Sequence, residues 1–365
     1  MGSIRVLVVD DSVVIRRLVS DVLNEDPAIE VVGTAVNGRA ALHKVDLLSP
    51  DVVTMDVEMP ELDGIEAVRA LRRAGKKMPV IMFSTLTDRG ATATLDALAA
   101  GATDYVAKPS NVGSVTRSLE QVRDALIPRI KALVPGVAGA SLRVAGSPVT
   151  FGTPVLRPRR SASYAALVIG CSTGGPEALG TFLSGLPRLS VPVAVVQHMP
   201  PVFTRQFAAR LDRVLPYDVV EAGHGQRMEP GTVHIAPGDH HLQVLPGVGG
   251  WQTRLDRGPA ENFCRPAVDV LFRSAAEAFH GPVLGVVLTG MGQDGTRGSD
   301  AVVRRGGSVI VQDRATSVVW GMPGAVATAG LAEEVLPLRE LASAVVRRLQ
   351  RRAATAAATP GHGTT

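Results

Sequence analysis

Short apolar runs alternate with amphipathic stretches of helical period, and the rhythm appears twice along the chain. Ile4–Val9, Ile29–Ala35, Val52–Met55, Val80–Phe83 and Tyr105–Ala107 are apolar, and between them lie Ser12–Asn24, Gly38–Leu48, Gly64–Ala74 and Thr92–Ala100. Runs too short for a helix and followed by helical periodicity are strands buried on both faces. Their strict alternation with helices predicts a parallel sheet covered on both sides. Ser114–Leu133 closes this first unit. The rhythm resumes at Tyr164, with runs at Leu167–Gly170, Val193–Gln197, Val233–Ala236, Val283–Leu288 and Ser308–Gln312. Helical segments such as Ala267–Phe279 and Gly298–Arg305 separate them, and a basic helix, Leu336–Arg352, ends the second unit. The expected fold class is α/β: two doubly wound parallel-sheet domains, an N-terminal (βα)5 unit and a C-terminal Rossmann-like one.

Pro135–Ser163 holds four Gly, four Pro and four Arg and no acidic residue. Such a stretch predicts an interdomain linker. The expected boundaries are therefore 1–133 for the first domain, 134–163 for the linker and 164–350 for the second domain. The Ala/Thr/Gly-rich residues 351–365 are expected to be a disordered tail. With only 4% aromatic residues, the two cores have to be built from Val, Leu, Ala and Ile. A net charge of +4 over 365 residues is too mild to predict nucleic-acid binding. Two cysteines, Cys171 and Cys264, make no disulfide framework, which predicts a reducing, cytoplasmic location. The first strand reaches Asp10-Asp11 too soon for a signal peptide, and no run is long enough to insert into a membrane.

Asp10 and Asp11 end the first strand and Asp56 the third, so the fold brings three carboxylates to one edge of the first sheet, where doubly wound sheets bind ligands. Carboxylates held together repel unless a hard cation neutralises them, and an all-oxygen donor set suits Mg2+. Ser84 and Thr85 follow the fourth strand and Lys108-Pro109 the fifth. A hydroxyl and an ammonium there can contact a phosphoryl group carried by an aspartate. Asp10-Asp11, Asp56-Val-Glu-Met-Pro60, Asp63-Gly64, Ser84 and Lys108-Pro109 together resemble the receiver domain of two-component response regulators, over roughly residues 3–125. The resemblance implies that Asp56 is the phosphoacceptor. It also implies that Asp11, Asp56 and the Glu58 carbonyl hold Mg2+, with Asp10 assisting through water. Ser84 and Lys108 then sense the phosphoryl group, Tyr105 is the aromatic switch residue, and the Lys108–Pro109 peptide is expected to be cis.

In the second unit, Ala166–Cys171 breaks at Ser172-Thr-Gly-Gly175-Pro176 and continues as a helix. A serine at such a strand-to-helix turn can expose its Oγ beside free backbone N–H groups, and the same turn can hold a phosphate. A nucleophile needs a base and an acid to orient it. Among the eight histidines, His43 lies in the first unit and His362 in the tail. His224, His234, His240 and His241 fall in or beside a turn-like, Gly-rich stretch, and His280 ends a helix. His198 directly follows an apolar run, as Ser172 does. Asp294 sits in the glycine loop that follows Val286–Thr289. That loop also offers Met291 N–H to an oxyanion.

Ile169–Gly175, Gln197–Pro201, Ile235–Asp239, Arg265–Phe272, Leu288–Gly295 and Trp320–Pro323 resemble the catalytic domain of the chemotaxis methylesterase family CheB, from about Leu167 to Val346. The resemblance implies a phosphorylation-activated esterase that hydrolyses glutamate γ-methyl esters on chemotaxis receptors and deamidates receptor glutamines. Ser172 would be the nucleophile, His198 the base and Asp294 the acid, with Thr173 and Met291 N–H groups at the oxyanion and no cofactor for this step. A chemotaxis histidine kinase would be the phosphodonor, and the receiver would cover the triad until Asp56 is phosphorylated. The order Ser–His–Asp separates the chain from α/β-hydrolases, whose G-x-S-x-G spelling it shares. A DNA-binding output domain would need adjacent helices joined by a short turn, where this chain continues strands and glycine loops. Two departures stand out: Cys264-Arg-Pro-Ala267 where the family commonly has His-x-Pro-Ser, and Gln293 where Asn is frequent.

Overall fold

The computed structural model describes residues 2–108, 115–134, 152–159 and 163–356. They form two compact units, one up to residue 150 and one from residue 151.

In the first unit the elements are β1 (Ile4–Val9), α1 (Val13–Asn24), β2 (Ile29–Ala35), α2 (Gly38–Leu48), β3 (Val52–Asp56), α3 (Gly64–Arg73), β4 (Val80–Ser84), α4 (Asp88–Ala99), β5 (Asp104–Ala107) and α5 (Val115–Leu133). The strands make one parallel sheet in the order β2-β1-β3-β4-β5. Ile4, Val6 and Val8 of β1 share a core with Val19 and Leu23 of α1 and with Leu126 and Ile130 of α5. Ser12, Asn37 and Asp63 cap α1, α2 and α3, the last in a reciprocal bond pair with Glu66. Helix α4 begins at Asp88 rather than Thr92, because Thr87 caps it by accepting from Gly90 N–H. Gly90 obscures that start in sequence but is required there: a Cβ would lie 2.5 Å from the Thr85 carbonyl oxygen. Pro109 lies outside the described residues, and with it the expected cis peptide.

The second unit contains β6 (Ala166–Cys171), α6 (Gly175–Ser184), β7 (Val193–Gln197), α7 (Pro201–Val214), β8 (Val219–Glu221), β9 (Val233–Ile235), β10 (His241–Gly247), β11 (Gly250–Asp256) and α8 (Val268–Ala278). It continues with β12 (Val283–Val287), α9 (Thr296–Arg304), β13 (Ser308–Gln312), α10 (Met322–Thr328), β14 (Glu334–Leu336) and α11 (Leu338–Ala356). Seven strands form a parallel sheet in the order β14-β13-β12-β6-β7-β9-β8. The chain leaves the central strand β6 first toward β7 and later toward β12, which makes a switch point at the carboxyl ends of these three neighbours.

Four features differ from expectation. Strands β8 and β14 are three residues each, too short to show a period. Strands β10 and β11 form an antiparallel hairpin whose sequence is broken by Pro246 and polar residues; it lies on α8 through Val244 N–H to Ser274 and Trp251 Nε1–H to the Ala278 carbonyl. His234 falls within the expected run Val233–Ala236, as β9, and His241, beside the turn-like stretch, opens β10; both are buried. The expected linker includes a strap on the second unit: Val155 and Arg157 N–H groups donate to the Ala327 and Ala332 carbonyls, and Arg159 pairs with Glu334. Helix α11 also runs to Ala356, into the expected tail, whose remainder lies outside the described residues. Among the described residues no helix is long and apolar enough to cross a membrane.

Gly170, in β6, has to be glycine because α8 lies against it; a Cβ would stand 2.4 Å from Val268 Cγ1. Gly170→Ala overpacks this contact, and we predict a loss of about 1–3 kcal/mol in the stability of the second unit, read by denaturant unfolding. An unchanged midpoint would contradict the packing.

Candidate functional site

Ser172, His198 and the Asp294 loop follow three adjacent strands, β6, β7 and β12, at one sheet edge. The ladder continues past the strand ends, with Ser172 N–H donating to the Thr289 carbonyl at 3.0 Å and His198 N–H to the Cys171 carbonyl at 3.2 Å. Gly174 takes a left-handed φ of 74° and lets the chain enter α6 directly after the serine. Gln197, buried, braces this turn by donating from Nε2 to the Ser172 carbonyl. Opposite it, the Thr289 hydroxyl donates to the Thr173 carbonyl, and Gln312 Oε1 accepts from Thr289 N–H. The loop holding Met291 is fastened to the Trp320 segment through Gly321 and Met322 N–H groups, both donating to the Gly290 carbonyl. Gly290 itself must lack a side chain, because a Cβ would be 2.9 Å from Ser172 Cβ.

His198 Nε2 lies 2.8 Å from Asp294 Oδ2. The carboxylate is almost fully buried, and it sits on the N-terminus of α8. Val268 N–H donates to Oδ2 and Asp269 N–H to Oδ1, at 2.7 and 3.0 Å. Gly295 N–H and Asn262 Nδ2 complete Oδ1, at 2.9 and 3.0 Å. Burial alone would raise the Asp294 pKa; the His198 contact and these backbone donors outweigh it and hold the group below the usual carboxylate range. Asp269, also buried, is raised, first by burial and then by the Asp294 charge. With Nε2 engaged, Nδ1 is the nitrogen left for Ser172. Among the described residues Ser172 Oγ makes no hydrogen bond to His198, and Nδ1 instead has Cys264 Sγ at 3.4 Å. Burial would pull the His198 pKa down, but the Cys264 sulfur and Asp294 carboxylate reverse that and raise it.

In the first unit, Asp10, Asp11 and Asp56 place carboxylate oxygens within 4.8 Å of one another. Lys108 Nζ spans two of them, 2.8 Å from Asp10 Oδ2 and 2.7 Å from Asp56 Oδ2. Asp56 is pushed up to about 6, foremost by burial, with Asp10 adding and Lys108 opposing. A carboxylate still raised with an ammonium beside it is a site short of positive charge, and its oxygen-only donors fit a hard divalent cation. Gly64 packs directly on the Asp56 backbone: a Cβ there would lie 2.1 Å from the Asp56 carbonyl oxygen. The Glu58 side chain stays outside the cluster, paired with Arg89 at 3.1 Å. Ser84 ends β4, buried, with Oγ donating to the Gly90 carbonyl at 3.2 Å. Tyr105 is buried in β5, which drives its phenol pKa up.

Sequence reasoning missed the supports: Gln197, Asn262, Thr289, Gln312 and Asp269. Gln197, Asp269 and Thr289 lie inside the quoted motifs, but nothing in their spacing says that they brace the turn and the acid.

Residues 167–345 match the family described as CheB methylesterase, and residues 6–120 match the response regulator receiver domain. A protein-glutamate methylesterase/protein-glutamine glutaminase from a Nocardioides strain is 67% identical over 96% of this chain and 97% of its own length. The protein of that name from Trichodesmium erythraeum is 46% identical over 96% of this chain and all of its own. The crystal structure of the Thermotoga maritima CheB methylesterase catalytic domain is 43% identical, covers 51% of this chain and 98% of its own, and has a TM-score of 0.49.

A reaction that uses His198 as a base needs its neutral form. Because its pKa is raised, the acid limb of kcat/KM should have its midpoint above the ordinary imidazole value of about 6.5. Cys264→Ala removes one cause of the rise, so the limb should move to lower pH; a pH–rate profile of both proteins checks this.

Proposed function

The chain belongs to the CheB methylesterase family, and from that we propose that Ser172, His198 and Asp294 hydrolyse glutamate γ-methyl esters on chemotaxis receptors. The observation that carries the reading is the His198–Asp294 pair, 2.8 Å apart, on the same sheet edge as Ser172. Ser172 Oγ attacks the ester carbonyl carbon while His198 Nδ1 takes its proton. Asp294, fixed by the α8 N-terminus, holds the ring through Nε2 and stabilises the imidazolium. Charge developing on the carbonyl oxygen falls to the N–H groups of Thr173 and Met291, each donor worth roughly 3 kcal/mol in comparable sites. His198 returns the proton to the departing methoxide, releasing methanol. Water, deprotonated by the same base, then attacks the acyl-serine and frees the glutamate. With glutamine as substrate the route is the same and ammonia leaves. We assign no cofactor to this step.

In the first unit Asp56 is the proposed phosphoacceptor, with a chemotaxis histidine kinase as donor. Asp11, Asp56 and the Glu58 carbonyl would hold Mg2+, with Asp10 assisting through water; the ion would offset charge on the phosphoryl oxygens. Lys108 already reaches Asp56 and would follow one of those oxygens, while Ser84 turns its hydroxyl to another. Tyr105 would then change its packing as the aromatic switch. The receiver would uncover the triad on phosphorylation, a shift between two populations. The site of action would be the cytoplasm.

Two outcomes are expected. Ser172→Ala should abolish methanol release from radiolabelled methylated receptor membranes; retained release would remove Ser172 as nucleophile. A small-molecule phosphodonor with Mg2+ should raise the wild-type rate and leave Asp56→Asn unchanged. An equal response in both would remove Asp56 as the switch.

A further inference from the structure

Beside the triad stands a turn with a backbone conformation that one of its two central residues does not favour. Glu261 N–H donates to the Cys264 carbonyl at 3.1 Å, and Cys264 N–H donates back to the Glu261 carbonyl at 2.8 Å. The two residues between them, Asn262 and Phe263, both have left-handed backbones, with φ of 50° and 62°. A two-residue turn with positive φ at both central positions takes Asn-Gly by preference. Asn262 meets the first requirement. Phe263 stands where glycine belongs, and its β-carbon makes that conformation unfavourable. Its ring recovers nothing by burial, since Phe263 is 86% exposed.

The neighbours of this ring connect it to the chemistry. Asn262 Nδ2 donates to Asp294 Oδ1 and to Asp269 Oδ2, both at 3.0 Å. Cys264 Sγ lies 3.4 Å from His198 Nδ1. The turn is therefore fixed to the acid on one side and the base on the other. A strained, solvent-facing aromatic in such a place points to a contact made only with a partner.

We propose that Phe263 is a specificity-determining residue, a docking side chain for the polypeptide substrate that packs against an apolar residue flanking the target glutamate. The proposal rests on the esterase reading above. A γ-methyl ester is too small for its own contacts to distinguish a protein from a free ester, so recognition needs an anchor outside the reacting atoms. An aromatic carried on a turn bonded to both the acid and the base is such an anchor.

Phe263→Gly tests it, because glycine suits the turn and should leave the unfolding midpoint equal or higher. On methylated receptor membranes kcat/KM should fall about tenfold, mainly through KM, as for loss of an interface anchor. Labelling of Ser172 by a small fluorophosphonate, which needs the triad but no polypeptide contact, should keep its wild-type rate. Phe263→Leu, which retains an apolar side chain, should stay within about threefold of wild type on membranes. Unchanged demethylation by Phe263→Gly overturns the proposal. Equal loss in both assays also overturns it, by making the turn a support for the triad. A rise in basal demethylation with a weaker phosphodonor response overturns it in favour of the receiver as the ring's partner. Failure of the esterase reading shows separately, as absence of fluorophosphonate on Ser172 in the wild-type chain.

Discussion

The seat of Asp294 on the N-terminus of α8 is the contact on which the second unit's site depends. The first N–H groups of a helix have no partner within it and carry a partial positive charge. Here the two at Val268 and Asp269 are aimed at one buried carboxylate. That carboxylate has its other side turned to His198 Nε2. One ion thus caps a helix, fixes a ring and closes the glycine loop through Gly295 N–H. Gly170 matters for the same reason, since it lets α8 approach β6 and brings this helix end to the serine's strand.

Both units keep anions at the carboxyl ends of buried strands and resolve the cost differently. Asp294 is satisfied by fixed backbone dipoles and an imidazole, and its pKa falls. Asp56 has one backbone donor, Val57 N–H, and shares an ammonium with Asp10. It remains raised to about 6. The first arrangement is complete and suits a group that must hold its charge through a reaction. The second is incomplete and suits one that receives a ligand and changes charge when it does.

The sheets were legible because their strands are buried on both faces, so apolar runs such as Ile4–Val9 and Val193–Gln197 stand out without alternation. The candidate residues were legible because each terminates such a run: Asp10, Asp56, His198 and the serine after Cys171. What supports them was not. Gln197, Thr289 and Gln312 are polar residues whose partners lie 25, 116 and 23 positions away, and no local period encodes contacts of that range. The hairpin β10–β11 escaped because its stability comes from α8, which packs against it from a later part of the chain.

The two departures from the family pattern also separate on physical grounds. Gln293 is exposed, and its carbonyl, which any residue supplies, accepts from Thr296 N–H and its hydroxyl. Ala267 is the N-cap of α8 and has no side chain able to cap it. An alanine there ordinarily costs about 1 kcal/mol against serine. In this chain the donors are taken from elsewhere: His241 Nδ1 accepts from Ala267 N–H at 3.2 Å, and Asp294 accepts from the next two. The helix end is left wholly to the acid and a buried histidine, and no local hydroxyl competes for the N–H groups that hold Asp294 in place.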